Sequence, residues 1–139
     1  MMNNKLAIHK PSKQASLINP IALAYIGDAV YELLVRQYLL SQPNHKSHHM
    51  HKAAISYVSA KAQRSMLERL LPHLTEEEQD IVKRGRNTKS GAPPKNADMI
   101  DYRHATALEC LIGYLYVDER IERITELFRV GLGEDTNEE

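Results

Sequence analysis

Apolar residues recur along this chain at intervals of three and four, the spacing of helices that bury one face. Asn19 followed by Pro20 is typical of a helix start, because asparagine caps free amides and proline fits the first helical position. The spacing predicts five helices, over about residues 20–40, 47–71, 76–86, 100–116 and 119–132. No stretch alternates as a strand does, so we expect an all-α fold.

The same spacing predicts which side chains face the core. In the first helix the predicted inward residues are Ile26, Ala29, Val30, Leu33 and Leu34, and Tyr25 is also expected in the core. In the second they are Ile55, Val58, Ala62, Met66 and Leu70, and in the last Ile121, Ile124, Leu127 and Phe128. Thr75 and Glu78 have the spacing of a capping box and predict the start of the third helix.

Two acids interrupt these apolar helices: Asp28 in "AYIGDAVYE" and Glu109 in "ATALECLIGYLY". Burying a carboxylate costs on the order of several kcal/mol unless it is paired or bound to a metal. There are two interpretations. Each acid lies at the edge of the buried face, where it reaches water or a base, or the two acids meet where their helices cross. In the second case they hold a hard cation such as Mg²⁺, which binds one or two carboxylates and keeps several waters.

Charge is unevenly distributed, although the chain has 18 basic and 18 acidic residues. Residues 83–95 carry five basic residues and no acid. Such a patch binds phosphates whatever the net charge, because salt screens charges beyond about 10 Å. The candidate phosphate contacts there are Arg84, Arg86, Asn87, Lys89 and Lys95, with Lys52, Lys61 and Arg64 as further candidates. The alternative is a solvated, flexible loop.

Two other features carry weaker expectations. His45, His48 and His51 have a spacing that suits Zn²⁺ or Ni²⁺, but no cysteine or acid completes the set, so packing or contact with a bound phosphate explains His51 better. The single cysteine, Cys110, lies in an apolar run and excludes an internal disulfide, so we expect a buried thiol and a cytoplasmic protein. No apolar run reaches the roughly 20 residues of a membrane span.

Several motifs together resemble a known family. "IGDAVYE" resembles the signature helix of the ribonuclease III catalytic domain, and "ALECLIGYLY" resembles its second motif. "YVSAKAQ" at 57–63 and "LTEEEQDIVKRGRN" at 74–87 resemble a smaller branch, the Mini-ribonuclease III proteins. The resemblance implies a ribonuclease III-like helical domain over residues 17–133, without a double-stranded-RNA-binding domain. Residues 1–16 are then an N-terminal extension, and residues 134–139 a disordered acidic tail.

The resemblance also implies a function: a homodimer that hydrolyses double-stranded RNA with Mg²⁺, for which Mn²⁺ substitutes. By this resemblance, Asp28 and Glu109 match metal-binding, catalytic positions of the family, and Glu32 is a further candidate ligand. The implied target is a ribosomal RNA precursor of the 23S type.

This chain departs from the larger enzymes at two positions. They carry further acids where it has Ala24 and Thr106, which implies weaker metal binding. The alternatives are an RNA- or ribosome-binding protein of the same fold that does not cut, and a helical adaptor that binds other proteins.

Overall fold

The structure, a computed structural model, describes residues 5–88, 95 and 98–134. None of these residues lies in a strand, so the all-α prediction is confirmed. The described helices are α1 (Pro20–Leu40), α2 (Ser47–Val58), α3 (Ala60–Leu70), α4 (Glu76–Asn87), α5 (Met99–Val117) and α6 (Ile121–Leu132), with short 3₁₀ turns at Ala15–Leu17 and Leu71–His73. None of the helices in this described part combines the length and apolar character that a membrane span requires.

Two helices begin where local capping signals predict. The Asn19 side chain accepts a hydrogen bond from the Ala22 amide at 2.9 Å, and Pro20 is the first residue of α1. At the start of α4 the Thr75 hydroxyl accepts from the Glu78 amide at 3.1 Å, and the Glu78 carboxylate accepts from the Thr75 amide at 2.9 Å. Each cap satisfies amides that have no partner inside the helix.

The predicted second helix is wrong, because the chain forms two helices there. Ser59 is extended, with φ −63° and ψ 156°, and its hydroxyl accepts from the Ala62 amide at 3.2 Å to start α3. A serine that caps a new helix offers the backbone an alternative to continuing the old one. The predicted shared face therefore does not continue through Ser59: Ile55 is 51 % exposed, whereas Met66 is buried.

The predicted inward face of α1 is correct only in part: Val30 and Leu34 are half-buried and pack against the core, but none of the predicted residues is fully buried. The residues that α1 buries are Leu23, Ala24, Gly27, Tyr31, Val35 and Leu39. Of the predicted set, Ala29 and Leu33 are exposed, and Tyr25 is 84 % exposed. Because α1 is apolar on more than one face, its periodicity does not indicate which face meets the core.

Helix α5 lies at the centre of the fold, packed against α1, α3, α4 and α6. Ten of its residues are buried, and Leu108, Leu111 and Leu115 are fully inaccessible. Helix α6 closes one side with Leu127 and Phe128, as predicted for that helix. A helix surrounded in this way is apolar on nearly all faces, so a charged side chain on it needs a specific partner.

Two glycines bring α1 and α5 into direct backbone contact. A Cβ atom on Gly27 would lie 1.8 Å from the carbonyl oxygen of Glu109, and one on Gly113 would lie 1.8 Å from that of Leu23. No side chain fits at either position, so glycine is required at both. This close crossing places Asp28, the residue after Gly27, beside Glu109.

Candidate active site

The α1–α5 crossing joins the two acids that the sequence singles out. The carboxyl groups of Asp28 and Glu109 share a hydrogen bond. Asp28 is exposed and Glu109 is half-buried, so the burial falls on Glu109. Both alternatives left open by the sequence therefore hold for Asp28, because it reaches water and also meets the second acid.

The surroundings of Glu109 favour its neutral form. Burial, followed by the negative charge of Asp28, raises the pKa of Glu109 to about 8, although a hydrogen bond from Gln63 acts in the opposite direction. Two adjacent carboxylates repel each other, so one of them retains a proton unless a cation replaces it. The pair is therefore a potential binding site for a positively charged group.

Gln63 is the site residue that sequence reasoning missed. It lies on α3, is 2 % exposed, and its side-chain amide hydrogen-bonds the Glu109 carboxylate. The sequence drew attention to "YVSAKAQ" only as a family resemblance, and Gln63 ends that motif. No local signal marked Gln63 as buried, because glutamine is common on helix surfaces.

The further candidate ligand, Glu32, one turn after Asp28 on α1, is paired with a base. Its carboxylate accepts a hydrogen bond from Arg36 at 2.6 Å, one turn along α1. Across the described residues, no group of three or more histidine, cysteine or acidic side chains is placed to hold a metal. The site thus offers two carboxylates, a set that suits Mg²⁺ with its remaining positions filled by water.

The candidate RNA contacts fall into three groups. Arg84 and Asn87 are exposed and Arg86 is half-buried in the last turn of α4, while Lys95, Lys52 and Lys61 are exposed. Arg64 is paired instead, at 3.0 Å from Asp101 and 3.4 Å from Glu68. Lys89 lies outside the described residues, as do residues 135–139 of the predicted acidic tail.

Comparison with known proteins gives the family. The model of the Ribonuclease III domain matches residues 21–120, a span that contains both acids and Gln63. The chain belongs to the ribonuclease III family. It is accordingly an endoribonuclease, and its motifs were assigned correctly from the sequence.

The relatives place this ribonuclease III domain in the Mini-ribonuclease III branch. It is 54 % identical over 116 residues to the Mini-ribonuclease 3 of Brevibacillus brevis, covering 84 % of this chain and 87 % of that protein. It is 49 % identical to that of Enterococcus faecalis, covering 79 % and 85 %. A crystal structure of a Fusobacterium nucleatum protein superposes with a TM-score of 0.76 at 31 % identity, covering 88 % of this chain and 98 % of that one.

The two positions at which this ribonuclease III domain lacks acids are closed to solvent. Ala24 and Thr106 are each 8 % exposed, and the Thr106 hydroxyl donates to the Tyr102 carbonyl at 3.0 Å. Both side chains are used in packing and hydrogen bonding within the fold. They therefore leave the acidic pair without a further charged neighbour at these positions.

Two further residues singled out in the sequence, Cys110 and His45, are held by contacts within the fold. Cys110 is 1 % exposed, and burial raises the pKa of its thiol to about 11, although the nearby Arg84 acts to lower it, so the thiol stays neutral. The prediction that Cys110 is buried is confirmed. His45 donates from Nε2 to the Leu40 carbonyl at 2.9 Å, a contact that ties the connection between α1 and α2 to the end of α1.

Proposed function

We propose that this endoribonuclease cleaves double-stranded RNA with Mg²⁺ held by Asp28 and Glu109. The observation that carries the proposal is a half-buried glutamate whose side-chain neighbours are an aspartate and an amide, Gln63. A structural role calls for a basic partner, because a buried acid beside another acid is destabilising unless a proton or cation intervenes. We place the catalytic domain at residues 17–133, between the extension at 1–16 and the tail at 134–139.

The two carboxylates have complementary parts in this proposal. Glu109 is half-buried on the central helix α5, so its carboxylate forms the inner side of the site. Asp28 is exposed and forms the side that faces solvent. A bound Mg²⁺ supplies activation of water and neutralises charge on the phosphodiester, and Mn²⁺ substitutes because it prefers the same oxygen donors. We expect products with 5′-phosphate ends.

Basic residues at the end of α4 supply the RNA contacts. Arg84 and Arg86 have no ion pair with any described residue, so their guanidinium groups are available to fork onto phosphates. Duplex RNA is bound mainly through phosphates and 2′-hydroxyls, which suits such a surface. Asn87 ends α4, and Lys89 and Lys95, which follow it in the sequence, are the further candidates for these contacts.

An exposed apolar face on α1 supports a homodimer. Ile21 and Tyr25 lie four residues apart, Leu33 follows eight residues later, and the three are 45 %, 84 % and 49 % exposed. Apolar side chains aligned on one helix face mark a protein contact, and a second copy of the chain would cover them. Each subunit would then cut one strand. Tyr25→Arg should convert dimer to monomer, as measured by light scattering, whereas an unchanged mass would contradict the dimer.

The natural target that we propose is a ribosomal RNA precursor of the 23S type in the cytoplasm. Resemblance to the Mini-ribonuclease III branch supports the target, and the single buried cysteine suits a reducing compartment. A second candidate function is binding of duplex RNA without cleavage. It is favoured by the absence of acids at Ala24 and Thr106.

Cleavage of a long RNA duplex in Mg²⁺ tests the proposal. The parent should cut the duplex and spare single-stranded RNA, and Glu109→Gln should slow cleavage by at least about 100-fold because it weakens the cation site. Glu122→Gln, an exposed acid in the first turn of α6, is the matched control and should cut normally. A parent that binds duplex but leaves it intact in Mg²⁺ and Mn²⁺ would support the binding function instead.

A further inference from the structure

We propose that Gln63 is a positioning residue, whose buried amide holds the Glu109 carboxylate in the orientation that faces Asp28 and the cation. This inference rests on the proposed function, because it concerns the same pair of acids. It assigns a task to a residue whose motif, "YVSAKAQ", had none.

The break at Ser59 sets the placement of Gln63. Because α3 begins anew at Ala60, capped by Ser59, it packs against α5, whereas α2 packs mainly against α1. No residue of α2 is buried, whereas Gln63 lies 2 % exposed on the packed face of α3. The cap thus determines which residue of the motif meets Glu109.

Gln63 is a polar residue on a helix face whose other buried side chains are apolar. Met66, Leu67 and Leu70 are each 1–2 % exposed and form the apolar wall of this helix. A buried amide that lacks a hydrogen-bond partner costs about 1–3 kcal/mol, so an apolar residue would pack there more favourably. The partner that Gln63 has is the Glu109 carboxylate, which points to a role at the acidic pair.

An amide suits this position because it donates a hydrogen bond without adding charge. The Glu109 carboxyl group hydrogen-bonds both Gln63 and Asp28, so it is fixed from two helices at once. Groups that orient a ligating carboxylate from behind typically contribute about 10-fold to 100-fold in metal affinity or activity. Gln63 would therefore provide orientation at a site that has only two acids.

Binding of Mn²⁺ without RNA, followed by electron paramagnetic resonance at one pH, tests the inference. Gln63→Met keeps the length and apolar volume of the side chain and removes the hydrogen bond. It should weaken Mn²⁺ binding by about 10-fold or more while circular dichroism stays unchanged. Gln37→Met, at an exposed position of α1, is the matched control and should bind as the parent does. If Gln63 only links α3 to α5, folded Gln63→Met will bind Mn²⁺ normally, which overturns the inference.

The same experiment separates this inference from the proposed function. A parent that does not bind Mn²⁺ overturns the cation site and the role of Gln63 with it. A parent that binds, loses binding on Glu109→Gln and keeps it on Gln63→Met overturns the inference alone. Should Gln63→Met fail to fold, Gln63→Glu takes its place. A third carboxylate facing the site should tighten Mn²⁺ binding, and unchanged or weaker binding would overturn the inference.

Discussion

Two glutamates with shielded side chains, Glu78 and Glu109, lie in opposite surroundings. Glu78 is 1 % exposed, and Arg123 from α6 donates to both of its carboxylate oxygens at 2.8 Å. Its remaining contact is the capping hydrogen bond from the Thr75 amide. Glu109, by contrast, faces Asp28 and Gln63. One acid has a full set of basic and amide donors, and the other lies against a second acid.

The two pKa values move in opposite directions for this reason. Burial acts to raise the pKa of Glu78, but hydrogen bonds from Arg123 and Thr75 outweigh it and hold that pKa below its ordinary value. Burial and Asp28 together raise the pKa of Glu109 to about 8. A buried acid with a full set of donors is compatible with a structural role, whereas a buried acid beside a second acid indicates a binding site for a cation.

The largest expected effect comes from removing the partner of Glu78. Arg123→Met leaves a buried carboxylate without its base and should lower the free energy of unfolding by about 3–5 kcal/mol, measured by urea denaturation. Arg103→Met, at an exposed position of α5, is the control and should change it by less than about 0.5 kcal/mol. Equal losses in the two variants would contradict the structural role assigned to Arg123.

The next effect tests the backbone contact beneath the acidic pair. Gly27→Ala places a methyl group against the Glu109 carbonyl, so α1 and α5 must separate. We expect a loss of about 3 kcal/mol in unfolding free energy and loss of RNA cleavage. Gly133→Ala is the control: nothing lies near its Cβ position, and its φ of 79° should cost only about 1–2 kcal/mol. A Gly27→Ala variant that is stable and active would refute the close crossing.

A smaller effect concerns pH. Since folding raises the pKa of Glu109 above its ordinary value of 4.5, the folded state binds more protons between that pH and about 8, and its stability falls as pH rises there. Without metal, Glu109→Gln should therefore gain roughly 1–2 kcal/mol over the parent between pH 5 and pH 8, measured by urea denaturation at each pH. A gain that does not change with pH would contradict the raised pKa. Glu78 acts in the opposite sense, and its contribution is lost as pH falls through its lowered pKa.

The smallest effect distinguishes paired from unpaired arginines. Arg84→Gln should leave stability unchanged, in contrast to Arg123→Met, and weaken binding of duplex RNA. The slope of log affinity against log salt should decrease by about 1 for a single lost phosphate contact. Arg129→Gln, exposed on α6, should keep the parent's slope. Identical slopes in all three proteins would place the RNA elsewhere.

What the sequence predicts well is local. The starts of α1 and α4 were predicted because Asn19 and Thr75 cap their own helices, and caps depend on neighbours within one turn. The break at Ser59 was missed because a capping serine has the same local sequence as one inside a helix. The buried face of α1 was missed because a second apolar face, which includes Tyr25, competes with it.

The site was predictable to the extent that unusual residues mark it. Asp28 and Glu109 stand out as acids in apolar segments, and Gly27, immediately before Asp28, and Gly113, one turn after Glu109, let the two helices approach. Gln63 does not stand out, because glutamine is common on helix surfaces and only the packing of α3 on α5 shows that it is buried. Long-range packing, which no local pattern encodes, decides that part of the site.

A crystal of the chain soaked in Mn²⁺ and measured at the manganese absorption edge tests the central claim most directly. The account predicts one strong anomalous peak per subunit between the carboxylates of Asp28 and Glu109, at Mn²⁺ concentrations that support RNA cleavage. The peak should be absent from Glu109→Gln under the same conditions. A peak elsewhere, or none at the pair in crystals of an enzyme that cleaves RNA with Mn²⁺, would contradict the account.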